Sequence, residues 1–121
     1  MRVTNAVASH KRRKKVLRAA RGFRGSRSNL IRQAYNAVDR ARAMAYTGRK
    51  QKKRQYRRLW TARINAACRL RGINYSQFMH GLKAANIELN RKVLANLAIE
   101  DEEAFDRLVE TARNAATEQK A

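Results

Sequence analysis

Apolar and polar positions recur at helical spacing along the chain, and everything reads as helix. Residues from about 8 to 21 put Val16, Leu17 and Ala20 on one side, with Lys11, Lys14, Lys15, Arg18 and Arg21 around the rest. Gly22 and Gly25 bracket Phe23 and Arg24, which predicts that the helix stops and turns there. Ser28 or Asn29 is the expected cap of the next helix, since a short polar side chain can accept bonds from the first unpaired backbone N–H groups. Helix formers then run without Pro to Arg71, and Gly72 follows as a natural terminating residue. Residues 29–71 as one helix would extend about 65 Å at roughly 1.5 Å per residue. Gly48 lies inside this run, costs about 1 kcal/mol against Ala, and leaves open whether the helix kinks or frays there.

After Gly72 the predicted helices shorten. Asn74 and Gln77 have the spacing of a capping-box variant, and Phe78, Met79, Leu82 and Ala85 follow at i, i+1, i+4 and i+7. Asn90 can cap a second short helix with Val93, Leu94 and Leu97 on one face. Asp101 can cap a third, where Glu102 and Glu103 favour the positive helix end and Phe105, Leu108, Val109 and Ala112 form the inward stripe. With Trp60, Ile64, Ala67 and Cys68, these stripes predict a small four-helix core. The expected fold class is all-α: a long basic helical N-terminal extension, then a small globular helical domain.

Charge sharpens this division. The chain has 121 residues, 29 of them Lys or Arg against 9 Asp or Glu, for a net charge of +20. Residues 1–60 hold 20 of the basic residues and a single acid, Asp39, whereas residues 61–121 hold 9 basic residues and 8 acids. The large apolar residues concentrate from Leu59 onward. The predicted organisation is therefore a polycationic extension over 1–58 and a small domain over 59–121, near the lower limit of about 60 residues for unaided folding. Alone in water the extension is expected to be largely disordered or a fraying helix. A net charge this large calls for a polyanionic partner, nucleic acid or an anionic membrane surface. The absence of Pro and the presence of only five Gly argue against a turn-rich β-barrel or sandwich. One Cys excludes an intrachain disulfide framework and a Cys-rich zinc site. No membrane span and no secretory signal is legible, and a reducing intracellular compartment fits these features.

The basic runs Lys11–Lys15 and Arg49–Arg58 wrap every side of a helix, because consecutive residues step by about 100°. A solvated face would need only one charged stripe with acids interspersed. Cations on all sides suit a helix surrounded by RNA phosphates. Arg outnumbers Lys in this part, and its planar fork binds phosphate bidentately and stacks on bases. Tyr35, Tyr46, Tyr56 and Trp60 are interleaved with the cations. For Trp60, beside Leu59 and Ile64, the reading is core; for Tyr46 and Tyr56, base stacking and packing both remain open. His10 and His80 have no companion ligands, Cys68 falls on the apolar stripe, and no phosphate-binding glycine loop or nucleophile motif is present. The residues call for no catalysis, metal or cofactor.

Three segments carry a resemblance: KVLRAARGFRGSRSN from Lys15 to Asn29, KRQYRRLWTARINAACR from Lys53 to Arg69, and INYSQFMHGLKAANIELNRKVLANLA from Ile73 to Ala98. Together they resemble the bacterial-type L-twenty family of large-subunit ribosomal proteins over nearly the whole chain. Lys53, Arg57, Leu59, Trp60, Arg63, Ile64, Asn65 and Arg69 fall at the spacing of that family's signature. Thr61 stands where the family usually has Ile or Val, Asn90 where Asp is common, and no small residue or Pro follows Met1. The resemblance implies an extension threading through large-subunit (23S-type) ribosomal RNA and a helical domain on the RNA surface. It further implies early binding, a role in subunit assembly outside the peptidyl-transfer chemistry, and neighbours from the L-twenty-one and L-thirteen families. In several bacteria the family also represses translation of its own operon by binding the messenger.

The resulting expectation is a structural rRNA-binding protein, not an enzyme, in the large subunit of a cytoplasmic ribosome; a plastid or mitochondrial ribosome fits the same residues. The expected phosphate or base contacts are Lys14, Lys15, Arg18, Arg21, Arg24, Arg27, Arg32, Arg49, Lys53, Arg54, Arg57, Arg58 and Arg63, with Arg91 and Lys92 at a capped helix start. Two other classes fit less well. A DNA architectural protein would need minor-groove wedges or a dimerisation face. A membrane-active helix would need an apolar face opposite the charges, which Arg49–Arg58 lacks.

Overall fold

The computed structural model describes residues 2 and 4–118 and is all-helical among them. Five α-helices occur: α1 Ala6–Ala19, α2 Ile31–Leu70, α3 Tyr75–Ala84, α4 Arg91–Glu100 and α5 Glu102–Glu118, with a 3₁₀ turn at Gly25–Arg27 between α1 and α2. Two compact units result, residues 1–51 and 52–121, and the division falls inside α2.

In the first unit α1 begins two residues earlier than its apolar spacing suggests. Asn5 adopts a left-handed conformation (φ 59°) and its carbonyl accepts the Ser9 N–H at 3.0 Å, which starts the helix. After Ala20 the chain turns through Gly22 (φ 91°) and Gly25 (φ 65°), conformations that side chains with a Cβ rarely adopt. The expected cap at Ser28 or Asn29 does not form. The Ser28 hydroxyl donates back to the Gly25 carbonyl at 3.0 Å, closing the local 3₁₀ turn, and α2 starts where the Leu30 carbonyl accepts the Ala34 N–H at 2.8 Å. Ala20, Ala34 and Val38 form a small buried cluster, flanked by Val16, Leu17 and Phe23. Helical bonding continues through Gly48 without a break.

In the second unit the predicted punctuation is largely in place. Gly72 (φ 71°) ends α2: its N–H donates to Arg69 at 3.2 Å and the Ile73 N–H reaches the Cys68 carbonyl at 3.1 Å. This is a Schellman motif, and Ile73 and Cys68 are both buried across it. Asn74 and Gln77 form a reciprocal capping box, with the Gln77 N–H donating to Asn74 Oδ1 at 2.8 Å. Asn86 (φ 55°) closes α3 by a second motif of the same kind, in which the Ile87 N–H donates to the Leu82 carbonyl at 2.9 Å. Asn90 Oδ1 accepts the Val93 N–H at 2.9 Å and Asp101 Oδ1 accepts the Ala104 N–H at 3.0 Å, so each opens a helix as expected.

The core of this unit comprises Ile64, Ala67, Cys68, Ile73, Phe78, Leu82, Leu94, Ala95, Phe105, Val109 and Ala112, with Trp60 packed against it. Phe78 and Phe105 meet at its centre with ring centroids 5.2 Å apart, tilted by 38°. Burying side chains of this size contributes roughly 1.5–3 kcal/mol each. The inward face of α4 differs from expectation: Leu94 and Ala95 are buried, whereas Val93 is 39 % exposed. The small Ala95 and Ala98 let α4 turn that side toward the core. Leu59 and Leu70 also lie outside it.

Candidate nucleic-acid interface

The expected contact residues occupy helix surfaces and turns. In the first unit Lys14, Lys15 and Arg18 lie on α1, Arg21 and Arg24 in the glycine-bracketed turn, Arg27 in the 3₁₀ turn, and Arg32 and Arg49 on α2; all are exposed. In the second unit Lys53, Arg54, Arg57, Arg58 and Arg63 are exposed along α2, and Lys92 is exposed in the first turn of α4. Their exposure follows from composition, because this acid-poor part of the chain offers only Asp39 to draw a guanidinium inward. Arg54, Arg57 and Arg58 border a shallow groove with Thr61, Ala62 and Asn65. Guanidiniums beside small side chains and an amide suit a ribose-phosphate backbone.

Arg91 is different. It is half-buried, and its Nε donates to the Tyr75 hydroxyl at 2.7 Å, so part of its donor set is already used within the unit.

The tyrosines of the basic stretch are not core residues. Tyr46 is 60 % and Tyr56 46 % exposed. Lys50 Nζ lies 5.3 Å from the Tyr46 ring centre and Lys52 Nζ lies 5.9 Å from that of Tyr56, each a cation–π pair. An exposed ring beside a lysine presents a π-face and a positive charge together, as stacking on an RNA base beside its phosphate requires. The Tyr56 and Trp60 centroids are 6.0 Å apart, and Trp60 is partly buried against the core.

Arg71 is an arginine of another kind, indistinguishable from the rest by composition. Among the described residues it makes the one ion pair, through Nε to Asp106. Its Nη1 donates to the Ala67 carbonyl at 3.0 Å and its guanidinium carbon lies 4.9 Å from the Phe105 ring centre. Arg113 in turn donates to the Arg71 carbonyl. These contacts tie the end of α2 to α5 and take Arg71 out of the set available to a nucleic acid.

Sequence reasoning passed over Arg40. With Arg24 and Arg27 it borders a groove in the first unit that also contains Phe23, Asn36 and Met44. The signal lay in the i, i+4, i+8 spacing of Asn36, Arg40 and Met44, which sets them on one ridge of α2. Burial pushes the Cys68 thiol up to about 11, against a smaller opposing pull from the Arg71 guanidinium, so it stays neutral at ordinary pH. Among the described residues no three His, Cys, Asp or Glu gather as a metal site, and no helix is long and apolar enough to cross a membrane.

A family model described as Ribosomal protein L20 matches residues 2–108. Among similar curated proteins, the Large ribosomal subunit protein bL20 of Desulfovibrio desulfuricans is 55 % identical over 115 residues, covering 95 % of this chain and 98 % of the relative. That of Opitutus terrae is 58 % identical over 114 residues, covering 94 % and 90 %. That of Agathobacter rectalis is 53 % identical over 113 residues, covering 93 % and 96 %.

Proposed function

The chain belongs to the ribosomal protein L20 family, a family of ribosomal structural proteins rather than enzymes, and we propose that it is a structural constituent of the large ribosomal subunit that binds the 23S-type rRNA directly. The observation that carries this reading is the array of exposed cations from Lys14 to Arg63, with Asp39 the one acid among them, interleaved with the exposed rings of Tyr46 and Tyr56. Each Lys or Arg that meets a phosphate releases condensed counterions, and that release drives the extension onto RNA. Residues 1–58 act as the RNA-threading part and 59–121 as the small RNA-binding domain. Because the extension has cations on every side, it can touch several RNA segments at once and hold them together, which is a reason for it to act early in subunit assembly. Neighbouring proteins of the L-twenty-one and L-thirteen families are its protein contacts.

The compact domain also binds a folded leader of its own messenger and represses translation. A small domain can recognise one RNA shape, whereas an extension that needs RNA on several sides gains little from a short leader. The direct test is sedimentation of ribosomal particles through a sucrose gradient after a high-salt wash. The chain is expected to persist in the large-subunit peak; release into the soluble fraction or absence from that peak would contradict the proposal.

A further inference from the structure

The groove between the glycine-bracketed turn and α2 has features that a general phosphate-binding surface does not need. Gly22 and Gly25, both at positive φ, fold Phe23 and Arg24 back over the start of α2. Phe23 packs on the small cluster of Ala20, Ala34 and Val38 and also lines the groove. Across from it, Ala37 and Ala41 leave the surface of α2 low, and Met44, 62 % exposed, adds a polarizable apolar wall. Around this apolar floor stand Arg24, Arg27 and Arg40, and no carboxylate lines the groove. Asp39, although next to Arg40 in sequence, is displaced by about 100° around the helix.

We propose that this groove is a pocket for a single unpaired RNA nucleotide. The base lies flat between Phe23 and Met44 over the two alanines, Asn36 offers its amide to the base edge, and the three guanidiniums hold the flanking phosphates. The groove's volume of about 740 Å³ is ample for one nucleotide. A groove whose apolar residues stand among three arginines, Gln33 and Asn36, with no carboxylate, matches a flat aromatic group bearing negative charge, and a nucleotide has both. A protein segment would match the same groove only by flanking an apolar side chain with carboxylates, whereas every nucleotide carries its phosphate beside its base. The inference rests on the proposed RNA binding and adds to it that this part of the chain prefers unpaired over paired RNA.

The experiment uses the full chain and two RNA hairpins identical except for one bulged uridine, with binding compared at fixed salt. Stacking of one base on such side chains is expected to favour the bulged hairpin by about tenfold. Arg40→Ala and Met44→Ala, at exposed positions of α2, should together remove that preference, read as the ratio of the affinities for the two hairpins. Phe23→Leu keeps the buried apolar bulk and should lower the preference by losing the aromatic face. With 4-thiouridine in the bulge, light-induced crosslinks should map between residues 23 and 44. Equal affinity for both hairpins, or a preference that the variants leave intact, would overturn the pocket while leaving RNA binding by the extension standing. Failure of the native chain to bind either hairpin would overturn both.

Discussion

Gly81 of α3 lies against the backbone of Ala112 in α5, so close that a Cβ on Gly81 would fall 2.3 Å from the Ala112 carbonyl oxygen and 2.7 Å from its Cα. The obstacle is backbone and cannot swing aside as a flexible side chain can. Gly81→Ala should therefore force the two helices apart and destabilise the helical domain by roughly 1–3 kcal/mol, beyond any gain in helix propensity. Urea unfolding followed by circular dichroism checks this; an unchanged or higher midpoint would contradict the close approach.

Arg71 and Arg57 test the separation of structural from RNA-facing arginines. Arg71→Ala removes the Asp106 pair, a bond to the Ala67 carbonyl and the contact with Phe105, and should cost about 1–3 kcal/mol of stability. Arg57→Ala, at an exposed position, should leave stability within about 0.5 kcal/mol and weaken RNA binding instead. Thermal unfolding and filter binding of both variants give the comparison; the opposite pattern would overturn the division.

Cys68 should behave as an inert core residue. Its folded-state thiol titrates near 11, so at pH 8 it is neutral as well as buried. Reaction with a colorimetric disulfide reagent at pH 8 should be slow in buffer and fast in denaturant. The sign of the pH effect follows: a raised thiol pKa means the unfolded chain loses its proton first, so Cys68 lowers stability as pH rises from about 9 to about 11. Cys68→Ala should remove that part of the alkaline decline.

For feedback control, residues 59–121 alone should repress a reporter carrying the chain's own leader. Arg91→Ala with Lys92→Ala should weaken repression, although Arg91 also supports the fold through Tyr75, so Tyr75→Phe separates the two roles. That variant removes the hydroxyl and keeps the cation, and it should retain repression. Reporter translation, with circular dichroism of each purified variant, provides the readout. Repression by the full chain but not by the isolated domain would make the extension part of messenger recognition.

Local signals in the sequence carried most of the helical framework. Asn74 with Gln77, Asn90, Asp101 and Gly72 mark helix ends through their own backbone chemistry, and each stands where expected. The start of α2 is less legible because the Ser28 hydroxyl turns back to donate to the Gly25 carbonyl instead of accepting an N–H of α2. Val93 was misplaced since periodicity gives a face without its rotation toward the core, and the small Ala95 decides that rotation. Exposure of the cations could be read from the scarcity of acids. The special position of Arg71 could not, because Asp106 lies 35 positions away and only folding brings them together. The same holds for Gly81, whose tight contact with Ala112 leaves no trace in local pattern.

The central claim is that the extension is the electrostatic element of RNA binding. The measurement is the affinity of the full chain and of residues 59–121 for a large-subunit rRNA fragment across a salt series. If the extension makes six to ten phosphate contacts, the full chain should lose about 10³–10⁵ in affinity between roughly 50 and 200 mM salt. Deletion of residues 1–58 should flatten that slope sharply. Equal loss of affinity by both forms would contradict the account.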